Sequence, residues 1–308
     1  MLPHHMDRDG IRSTPTNMNL KIWFLATRPW SFIMTIISAS LGASLALSRF
    51  DAFLFILGTV GLILAHAATN MLNDYFDVKS KVDRPGAPTS KYRPHPYLFG
   101  AISTRDFLAV TIALYIAVIA IAIYIYTLIS SVVIFLLFFG LFISIFYTIP
   151  LLPLKYKALG EPAVFIIWGP FMVGGMYYVL TKTIDLEAII ASLPIGILVA
   201  LVLMANNIRD IDYDASANIK TIPIILGRKN SLTAFQILML LPYVFAFIIA
   251  ILAKPFCLIS FLALPMSIRV IRTFKKQVPD NADPLVAQIT LIFGILYIFG
   301  ILISDIIL

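Results

Sequence analysis

Residues 206–214 read Asn-Asn-Ile-Arg-Asp-Ile-Asp-Tyr-Asp and follow a long, nearly uncharged run of apolar residues. Asn206, Asp210 and Asp214 are each four apart, so on a helix they share one face and their side chains lie close together. Two carboxylates at such a short distance repel each other unless a cation or a proton lies between them. A cluster of ionisable side chains where a membrane helix leaves the hydrocarbon predicts a functional site.

A second acidic cluster lies upstream. Residues 73–77 read Asn-Asp-Tyr-Phe-Asp at the end of an earlier apolar run, so Asn73 and Asp77 are again four apart. The chain has only 16 acidic residues, yet these two short segments contain Asp74, Asp77, Asp83, Asp210, Asp212 and Asp214. This concentration of acidic residues in an otherwise apolar chain indicates that the two segments share a function.

The composition is that of an integral membrane protein. Of 308 residues, 60% are hydrophobic and 13% are charged, and the mean hydropathy is +0.94. This leaves too little polar surface to cover a soluble globule. The single cysteine, Cys257, lies in an apolar run, so neither a disulfide framework nor a thiolate metal site is predicted. The four histidines are too scattered along the chain to suggest a metal cluster.

The apolar runs predict an all-α, polytopic membrane helix bundle. No charge appears between Asp106 and Lys155. One helix of that length would be roughly 70 Å long against a hydrocarbon core of about 30 Å, so the run must be a hairpin. Nine transmembrane helices are predicted, at roughly 29–47, 53–72, 107–127, 131–149, 162–180, 186–208, 232–252, 255–271 and 285–305.

The domain organisation is expected to be simple. Residues 1–24 are interpreted as an N-terminal tail, whose opening Met-Leu-Pro-His-His-Met has the character of a tag remnant, and residues 25–308 as a single membrane-embedded domain. Residues 78–105 form the longest polar segment and contain too many prolines for one helix. They are predicted to form an ordered loop or cap over the membrane surface.

The basic residues indicate membrane topology and not nucleic-acid binding, although the net charge is +7. If the N-terminus is cytoplasmic, all 23 Lys and Arg residues except Arg49, Lys182 and Lys254 lie on the cytoplasmic side, as the positive-inside rule describes. Both acidic clusters follow even-numbered spans and fall on that same side. The prediction is therefore a multi-pass protein of the cell membrane whose functional site faces the cytoplasm.

The ligand chemistry favours a hard cation. Oxygen ligands without cysteine or clustered histidine select Mg²⁺, Ca²⁺ or Mn²⁺, and Mg²⁺ commonly binds one or two carboxylates together with phosphate oxygens. Basic residues that could bind phosphate flank both clusters: Lys79, Arg84, Lys91, Arg93, Arg209, Lys220 and Arg228. The pattern predicts a site for a diphosphate carried on a lipid tail. An ion-coupled transporter is the rival from another class, but it would need a route across the bilayer, and these acids lie on one face only; a scaffold gives no reason for the clustering.

The paired acidic motifs, on nine predicted spans, resemble those of the UbiA superfamily of membrane prenyltransferases. The resemblance runs from about Arg28 through nearly the whole chain. It implies a nine-helix bundle that uses Mg²⁺, and two ions are expected, to bind a polyprenyl diphosphate and transfer its allylic chain to an aromatic or lipid acceptor. Residues 73–77, the segment 147–161, the segment 169–178 and residues 206–210 look most like the 1,4-dihydroxy-2-naphthoate polyprenyltransferases of menaquinone synthesis. A geranylgeranylglyceryl phosphate geranylgeranyltransferase of ether-lipid synthesis is the alternative.

The resemblance also implies roles for individual residues. The implied metal ligands are Asn73, Asp77, Asn206, Asp210 and Asp214. The implied diphosphate contacts are Arg84, Arg93, Lys155 and Lys220. Tyr147 and Lys155 join Asp77, Asp210 and Asp214 as catalytic candidates, and Arg28 and Lys155 are candidates for the acceptor side. Aromatic faces that could stabilise an allylic cation are Tyr147, Trp168, Tyr177 and Tyr178. Many members carry a third acid four residues after the position of Asp77, where this chain has Lys81, so a metal role for Asp83 is doubtful.

Overall fold

The computed structural model describes residues 19–88, 93–217 and 219–308, and apart from one isolated bridge between Lys157 and Lys220 its regular structure is helical. The α-helices are α1 (Leu20–Ala26), α2 (Phe32–Leu45), α3 (Ala52–Lys79), α4 (Thr104–Leu128), α5 (Val132–Phe146), α6 (Gly160–Ile166), α7 (Met172–Thr181), α8 (Leu186–Arg209), α9 (Ile211–Ser216), α10 (Ile222–Leu252), α11 (Leu264–Lys276) and α12 (Ala282–Ile307). Short 3₁₀ segments occupy Pro29–Ser31, Leu47–Arg49, Leu154–Tyr156 and Pro255–Ala263, and Ile167–Phe171 is π-helical.

The helices confirm the predicted membrane bundle. Within the described residues, seven helical stretches are long and apolar enough to cross a membrane, with α6 and α7 forming one continuous stretch through the π-helical segment. A bent pair, Leu20–Ala26 with Pro29–Leu45, makes an eighth if it forms one span, and α5 is a shorter apolar helix at the position of the predicted fourth span. The predicted hairpin turn is also confirmed, because α4 ends at Leu128 and α5 begins at Val132.

Two helix ends differ from the sequence prediction at the acidic clusters. The second span was expected to end at residue 72, but α3 continues through the first cluster to Lys79. Residues 206–214 were expected to lie on one helix, but α8 ends at Arg209 and α9 begins at Ile211, with Asp210 between them. The amide of Asp214 still donates to the carbonyl of Asp210 at 2.9 Å, so the spacing of four is kept across the break.

The first span is broken beside the acidic end of the bundle. Arg28 adopts a left-handed backbone conformation (φ 57°, ψ 58°), and the two halves of the span meet at 49°. A break inside a membrane exposes backbone carbonyls that must find partners. Asn70 of α3 donates to the carbonyl of Thr27 at 3.0 Å, and the Ser31 hydroxyl donates to the carbonyl of Arg28 at 2.8 Å. These contacts hold the Arg28 side chain at the acidic end.

The core lies on one side of the bundle, around α8. This helix is buried along most of its length and packs against α10, α12, α2 and the segment 160–171. Gly169 and Gly196 allow the closest of these approaches, since a Cβ on Gly169 would lie 3.0 Å from the Cα of Gly196. On the other side, α3, α4, α5 and α7 enclose a cavity together with one face of α8.

Candidate active site

The first acidic motif lies on the last turns of α3, where Asn73 and Asp77 are 5% and 2% exposed. The Asn73 amide donates to Oδ2 of Asp77 at 3.0 Å, so the predicted spacing of four does bring the two side chains together. Both residues line the cavity at its polar end.

The loop between α5 and α6 provides the partners of the first motif. Lys155 Nζ donates to Oδ2 of Asp77 at 2.6 Å and to Oδ1 of Asn73 at 3.2 Å. The Tyr156 hydroxyl donates to the other oxygen of Asp77, and Thr148 donates to Oδ1 of Asn73 at 2.9 Å. Both oxygens of Asp77 and the side-chain oxygen of Asn73 therefore accept hydrogen bonds from one loop.

The second motif takes its partner from within its own segment. Arg209 donates to both oxygens of Asp210 at 2.7 Å and to Oδ1 of Asn206 at 2.7 Å. The same guanidinium reaches α12, where it donates to Asp283 at 2.7 Å. The second motif is thereby fixed to the last helix of the bundle.

Asp214 shows that the two motifs meet. Burial, together with the negative charges of Asp210 and Asp77, raises the pKa of the Asp214 carboxyl from 3.8 to about 7, and Lys155 only partly offsets this. Asp77, Asp210 and Asp214 therefore repel one another across one space. The structure brings together Asn73, Asp77, Asn206, Asp210 and Asp214 around the polar end of the cavity, as the sequence suggested.

These residues fit a hard divalent cation. The five side chains offer oxygen atoms and no sulfur or imidazole, which suits Mg²⁺. Burial and the charges of Asp210 and Asp77 both raise the pKa of Asp214, and a bound cation would stabilise its ionised form. Two cationic groups, Lys155 Nζ and the Arg209 guanidinium, already lie against these oxygens, so the positions favour positive charge.

The predicted diphosphate contacts divide into two groups. Arg93 and Lys155 line the cavity near both motifs. Arg84 is exposed and lies over the ring of Tyr213, with its guanidinium carbon 5.5 Å from the ring centroid. Lys220 is also exposed, and its backbone pairs with that of residues 156–158. Neither Arg84 nor Lys220 is part of the cavity wall in this structure.

A buried ion cluster lies behind the first motif. Asp74 accepts from Arg28 and lies 3.5 Å from Arg93, and Arg93 pairs with Asp83 at 3.1 Å. The ligand atoms of Asp74, Asp83 and His95 lie within 4.8 Å of one another, close enough to hold a metal ion. The two guanidinium groups already neutralise the two carboxylates, so we interpret this arrangement as an ion cluster that holds the loop after α3.

His95 completes this ion cluster in its neutral form. Its Nδ1 accepts from the amide of Leu98 at 3.2 Å, so its Nε2–H donates to Asp83 at 3.1 Å. Burial lowers the pKa of His95. Burial alone would raise the pKa of Asp83, but the hydrogen bond from His95 and the charges of Arg93, Lys155 and Arg28 hold it well below its usual range.

Tyr147 and the other aromatic candidates lie at different depths. Tyr147 and Trp168 line the cavity. Tyr177 donates to Asp185 at 3.2 Å and Tyr178 bonds to Ser130 at 2.7 Å, both toward the opposite end of the bundle.

The cavity has a volume of about 850 Å³ and runs from the acidic motifs into the bundle. Its wall is mostly aliphatic away from the polar end. Four wall residues near that end are exposed: Trp30 of the broken first span, Pro94, and Pro284 and Gln288 of α12. The cavity therefore opens near the acidic motifs, and Trp30 and Gln288 place part of this opening between the first and last spans.

Sequence reasoning missed several polar residues of the site. Tyr156, Thr148 and His95 contact the motifs only through the tertiary fold. Their one sequence signal is position, since Thr148 and Tyr156 flank Lys155 in a short polar loop between two apolar runs. His66 is a further cavity residue, bonded to Thr35 at 2.9 Å and to Ser31 at 3.2 Å.

Solved structures with the same fold include two archaeal proteins. A UbiA homolog from Archaeoglobus fulgidus bound to GPP and Mg²⁺ matches with a TM-score of 0.67 at 15% identity, covering 91% of this chain and 99% of that one. The apo UbiA homolog from Aeropyrum pernix K1 matches with a TM-score of 0.67 at 21% identity, covering 89% and 98%.

Similar sequences support the same relationship. A protein named UbiA prenyltransferase domain-containing protein 1 from Danio rerio is 27% identical over 97% of this chain and 89% of its own length. Its Drosophila melanogaster homolog is 28% identical over 92% and 80%. The sequence model of the UbiA prenyltransferase family matches residues 32–297. The chain thus belongs to the UbiA prenyltransferase family and is a membrane enzyme that transfers isoprenyl groups.

Proposed function

We propose that this enzyme uses Mg²⁺ to transfer an isoprenyl chain from a polyprenyl diphosphate to an aromatic acceptor of the 1,4-dihydroxy-2-naphthoate type, with release of diphosphate. One observation carries the proposal. The two acidic motifs converge at the polar end of an otherwise aliphatic cavity, with Lys155 against Asp77 and Asn73. Such a site suits a substrate with an anionic head and an apolar tail.

Mg²⁺ binding is assigned to Asn73 and Asp77 of the first motif and to Asn206, Asp210 and Asp214 of the second, with two ions proposed. When bound, the metal supplies positive charge that neutralises the departing diphosphate. The A. fulgidus homologs bound to GPP or DMAPP with Mg²⁺ support this assignment by analogy.

The protein side chains have separate tasks in this proposal. Lys155 and Arg93 bind the diphosphate as negative charge develops on it, because both line the cavity beside the motifs. Arg84 and Lys220 remain proposed contacts from the surrounding loops. Tyr147, partly buried in the cavity wall, faces the reacting allylic carbon and stabilises its positive charge.

The aliphatic wall protects the reaction from water. An allylic cation that meets water becomes an alcohol, so a productive site must be dry where the cation forms. The described wall below the motifs consists mainly of aliphatic side chains contributed by α3, α4, α5 and α7. This part of the cavity also binds the tail of the prenyl donor.

The acceptor is proposed to enter from the side that carries Arg28. An acceptor must be electron-rich and must lose a proton or CO₂ after attack. A 1,4-dihydroxy-2-naphthoate meets both demands, and its carboxylate would interact with Arg28 or Lys155, which both line the polar end of the cavity. The segments 169–178 and 206–210 favour this acceptor by their resemblance to naphthoate polyprenyltransferases.

Prenylation of a defined acceptor by purified protein tests the proposal. The protein in lipid nanodiscs receives geranylgeranyl diphosphate, Mg²⁺ and either 1,4-dihydroxy-2-naphthoate or geranylgeranylglyceryl phosphate. We expect a prenylated naphthoate with release of CO₂. If only the glyceryl phosphate is prenylated, the proposed acceptor is wrong, but the protein is still a prenyltransferase. Ion flux without any product would favour the transporter reading.

We further propose that the acidic end faces the cytoplasm, because this places all Lys and Arg residues except Arg49, Lys182 and Lys254 inside. A cysteine replacing Pro88, in a Cys257→Ser background, tests it. Membrane-impermeant thiol reagent should label this cysteine only after the cells are opened. Labelling from outside intact cells would show that the acidic end faces away from the cytoplasm.

A further inference from the structure

The deep part of the cavity extends along α3 toward the end of the bundle opposite the acidic motifs. Wall residues on α3 follow one face of the helix from Asp77 to Gly58. At about 1.5 Å per residue this face is roughly 28 Å long. The facing walls on α5 and α7 run to Val133 and Val179.

The deep end is closed by packed aliphatic side chains. Ile125, Val133 and Val179 are 5–7% exposed and form one cluster between α4, α5 and α7. Behind them the Ser130 hydroxyl bonds to Tyr178 at 2.7 Å. The cavity is therefore open near the acidic motifs and blind at the other end. We call the part between Thr69 and this cluster the closed branch.

The polar side chains at the start of the closed branch bond to other protein atoms, including His66, whose ring nitrogens bond to Ser31 and Thr35. Thr69 donates to the carbonyl of Ala65 at 2.7 Å, so its contact with Ser144 at 2.6 Å must be a bond that Ser144 donates. Tyr115 then donates to Ser144 at 2.6 Å. Each of these three hydroxyl hydrogens points to a protein atom, and a hydrocarbon chain can lie against them without displacing a hydrogen bond.

The length of the cavity corresponds to a limited number of isoprene units. One unit adds four carbon–carbon bonds of about 1.5 Å to the chain, or about 5 Å when extended. The wall from Tyr147 to Val133 on α5 is about 21 Å long and the α3 wall is about 28 Å long. Four to five units therefore reach from the acidic motifs to the blind end.

We propose that the closed branch limits the length of the donor's prenyl chain to about four isoprene units. Ile125, Val133 and Val179 set this limit because they close the end of the branch. The inference rests on the proposed function, since it assumes that the diphosphate lies at the acidic motifs. Longer chains must fold back toward the lateral opening between Trp30 and Gln288, where each further unit gains little burial.

Two glycines allow this limit to be shifted. A Cβ on Gly140 would lie 3.6 Å from Phe171, and one on Gly175 would lie 3.6 Å from Leu136, which are ordinary contacts. Leucine at either position fits a helix and projects into the branch. Gly140 lies about 10 Å below Tyr147 along α5, and Gly175 about 18 Å below Ala163 along α6 and α7. The two substitutions should block the branch at different depths.

The test measures binding without the acceptor. Purified protein with Mg²⁺ is titrated with geranyl, farnesyl, geranylgeranyl, hexaprenyl and nonaprenyl diphosphates, and ligand-induced stabilisation gives each affinity. For the unsubstituted protein, we expect affinity to rise with each added unit up to geranylgeranyl and then to stop rising. Transfer rates should follow the same order.

The variants move this limit in both directions. Gly140→Leu should lower it to geranyl and Gly175→Leu to farnesyl, whereas Val133→Ala with Val179→Ala should extend it beyond geranylgeranyl. Ala120→Leu is the matched control, because Ala120 lies beside Ile121 on α4 but is exposed on the outer surface. It should leave the order of affinities unchanged.

The outcomes separate the two proposals. An affinity that keeps rising through hexaprenyl and nonaprenyl in the unsubstituted protein, or the same limit in Gly140→Leu and in the valine double variant, would overturn the length limit while leaving prenyl transfer intact. If the protein binds none of the diphosphates in the presence of Mg²⁺, the proposed donor site itself is wrong.

Discussion

The two acidic motifs have the same spacing but are held in place differently. Asn73 and Asp77 lie within one continuous helix and depend on the distant loop 147–157, which provides Lys155 and Tyr156. Asn206 and Asp210 lie where a helix is interrupted, and their partner Arg209 is their neighbour in sequence. The first motif is therefore assembled by tertiary contacts and the second mainly by local ones.

This difference predicts where substitutions act. A change in the loop 147–157 should disturb the first motif and spare the second. Conversely, the second motif should respond to changes at its own helix break and at its contact with α12. Four measurements test this contrast, and the largest expected effect comes first.

The largest effect should come from removing one carboxylate of either motif. Asp77→Asn and Asp210→Asn should each reduce kcat by roughly 100- to 1000-fold, since one electrostatic contact to the developing charge typically contributes about 3–4 kcal/mol. Transfer assays over a range of Mg²⁺ concentrations measure this. Asp212→Asn is the control because its side chain is 91% exposed. Normal turnover by Asp77→Asn, or activity in EDTA, would contradict the Mg²⁺ assignment.

The next effect concerns the lysine of the first motif. Lys155→Met should lower kcat/KM by roughly 10- to 100-fold, because hydrogen bonds to charged groups contribute about 1.5–3 kcal/mol. Lys157→Met is the matched control, since Lys157 lies in the same loop but is exposed. Equal effects of the two substitutions would mean that Lys155 acts only through the overall charge of the loop.

A smaller effect is expected for Tyr156→Phe. The substitution removes one hydroxyl that donates to Asp77 and leaves the ring in place. Activity should fall by roughly 5- to 30-fold, or about 1–2 kcal/mol, and the Mg²⁺ dependence should shift with it. Tyr75→Phe is the control, since its hydroxyl contacts only the exposed side chain of Lys79 at 3.4 Å. Wild-type Mg²⁺ dependence in Tyr156→Phe would show that this loop does not position Asp77.

The last measurement concerns stability and not turnover, as a pH dependence in the metal-free protein. The folded pKa of Asp214 is about 7, above its ordinary value of 3.8. Between about pH 4 and pH 7 the folded state binds a proton that the unfolded state does not, so stability falls as the pH rises through this window. Melting temperatures measured from pH 4 to pH 8 should show this decline, and Asp214→Asn should reduce it. An unchanged slope in Asp214→Asn would assign the decline to other groups.

Much of the fold was predictable because hydropathy and charge determine where spans begin and end in a membrane. The length of α3 was not, since residues 73–79 include charged groups that would ordinarily end a span. Their burial is possible because Arg28 and Arg93 neutralise Asp74, and Lys155 pairs with Asp77. Those partners come from other parts of the chain, so a local pattern does not reveal them.

The sequence predicted which acidic and amide side chains come together, but not the side chains that hold them in place. A spacing of four identified Asn73, Asp77 and Asp210, because helical geometry alone brings such residues together. Tyr156, Thr148 and His95 carry no comparable periodicity. Their positions follow from loop conformations that depend on the packed bundle, and a single sequence does not determine those.

The lateral opening between Trp30 and Gln288 has a kinetic consequence. A substrate that enters from the bilayer diffuses in two dimensions, and the enzyme responds to its mole fraction among the lipids, not to its amount per volume of buffer. Adding inert phospholipid at constant total substrate should therefore slow the reaction as if substrate had been removed. For this enzyme, the membrane is the solvent in which saturation has to be defined.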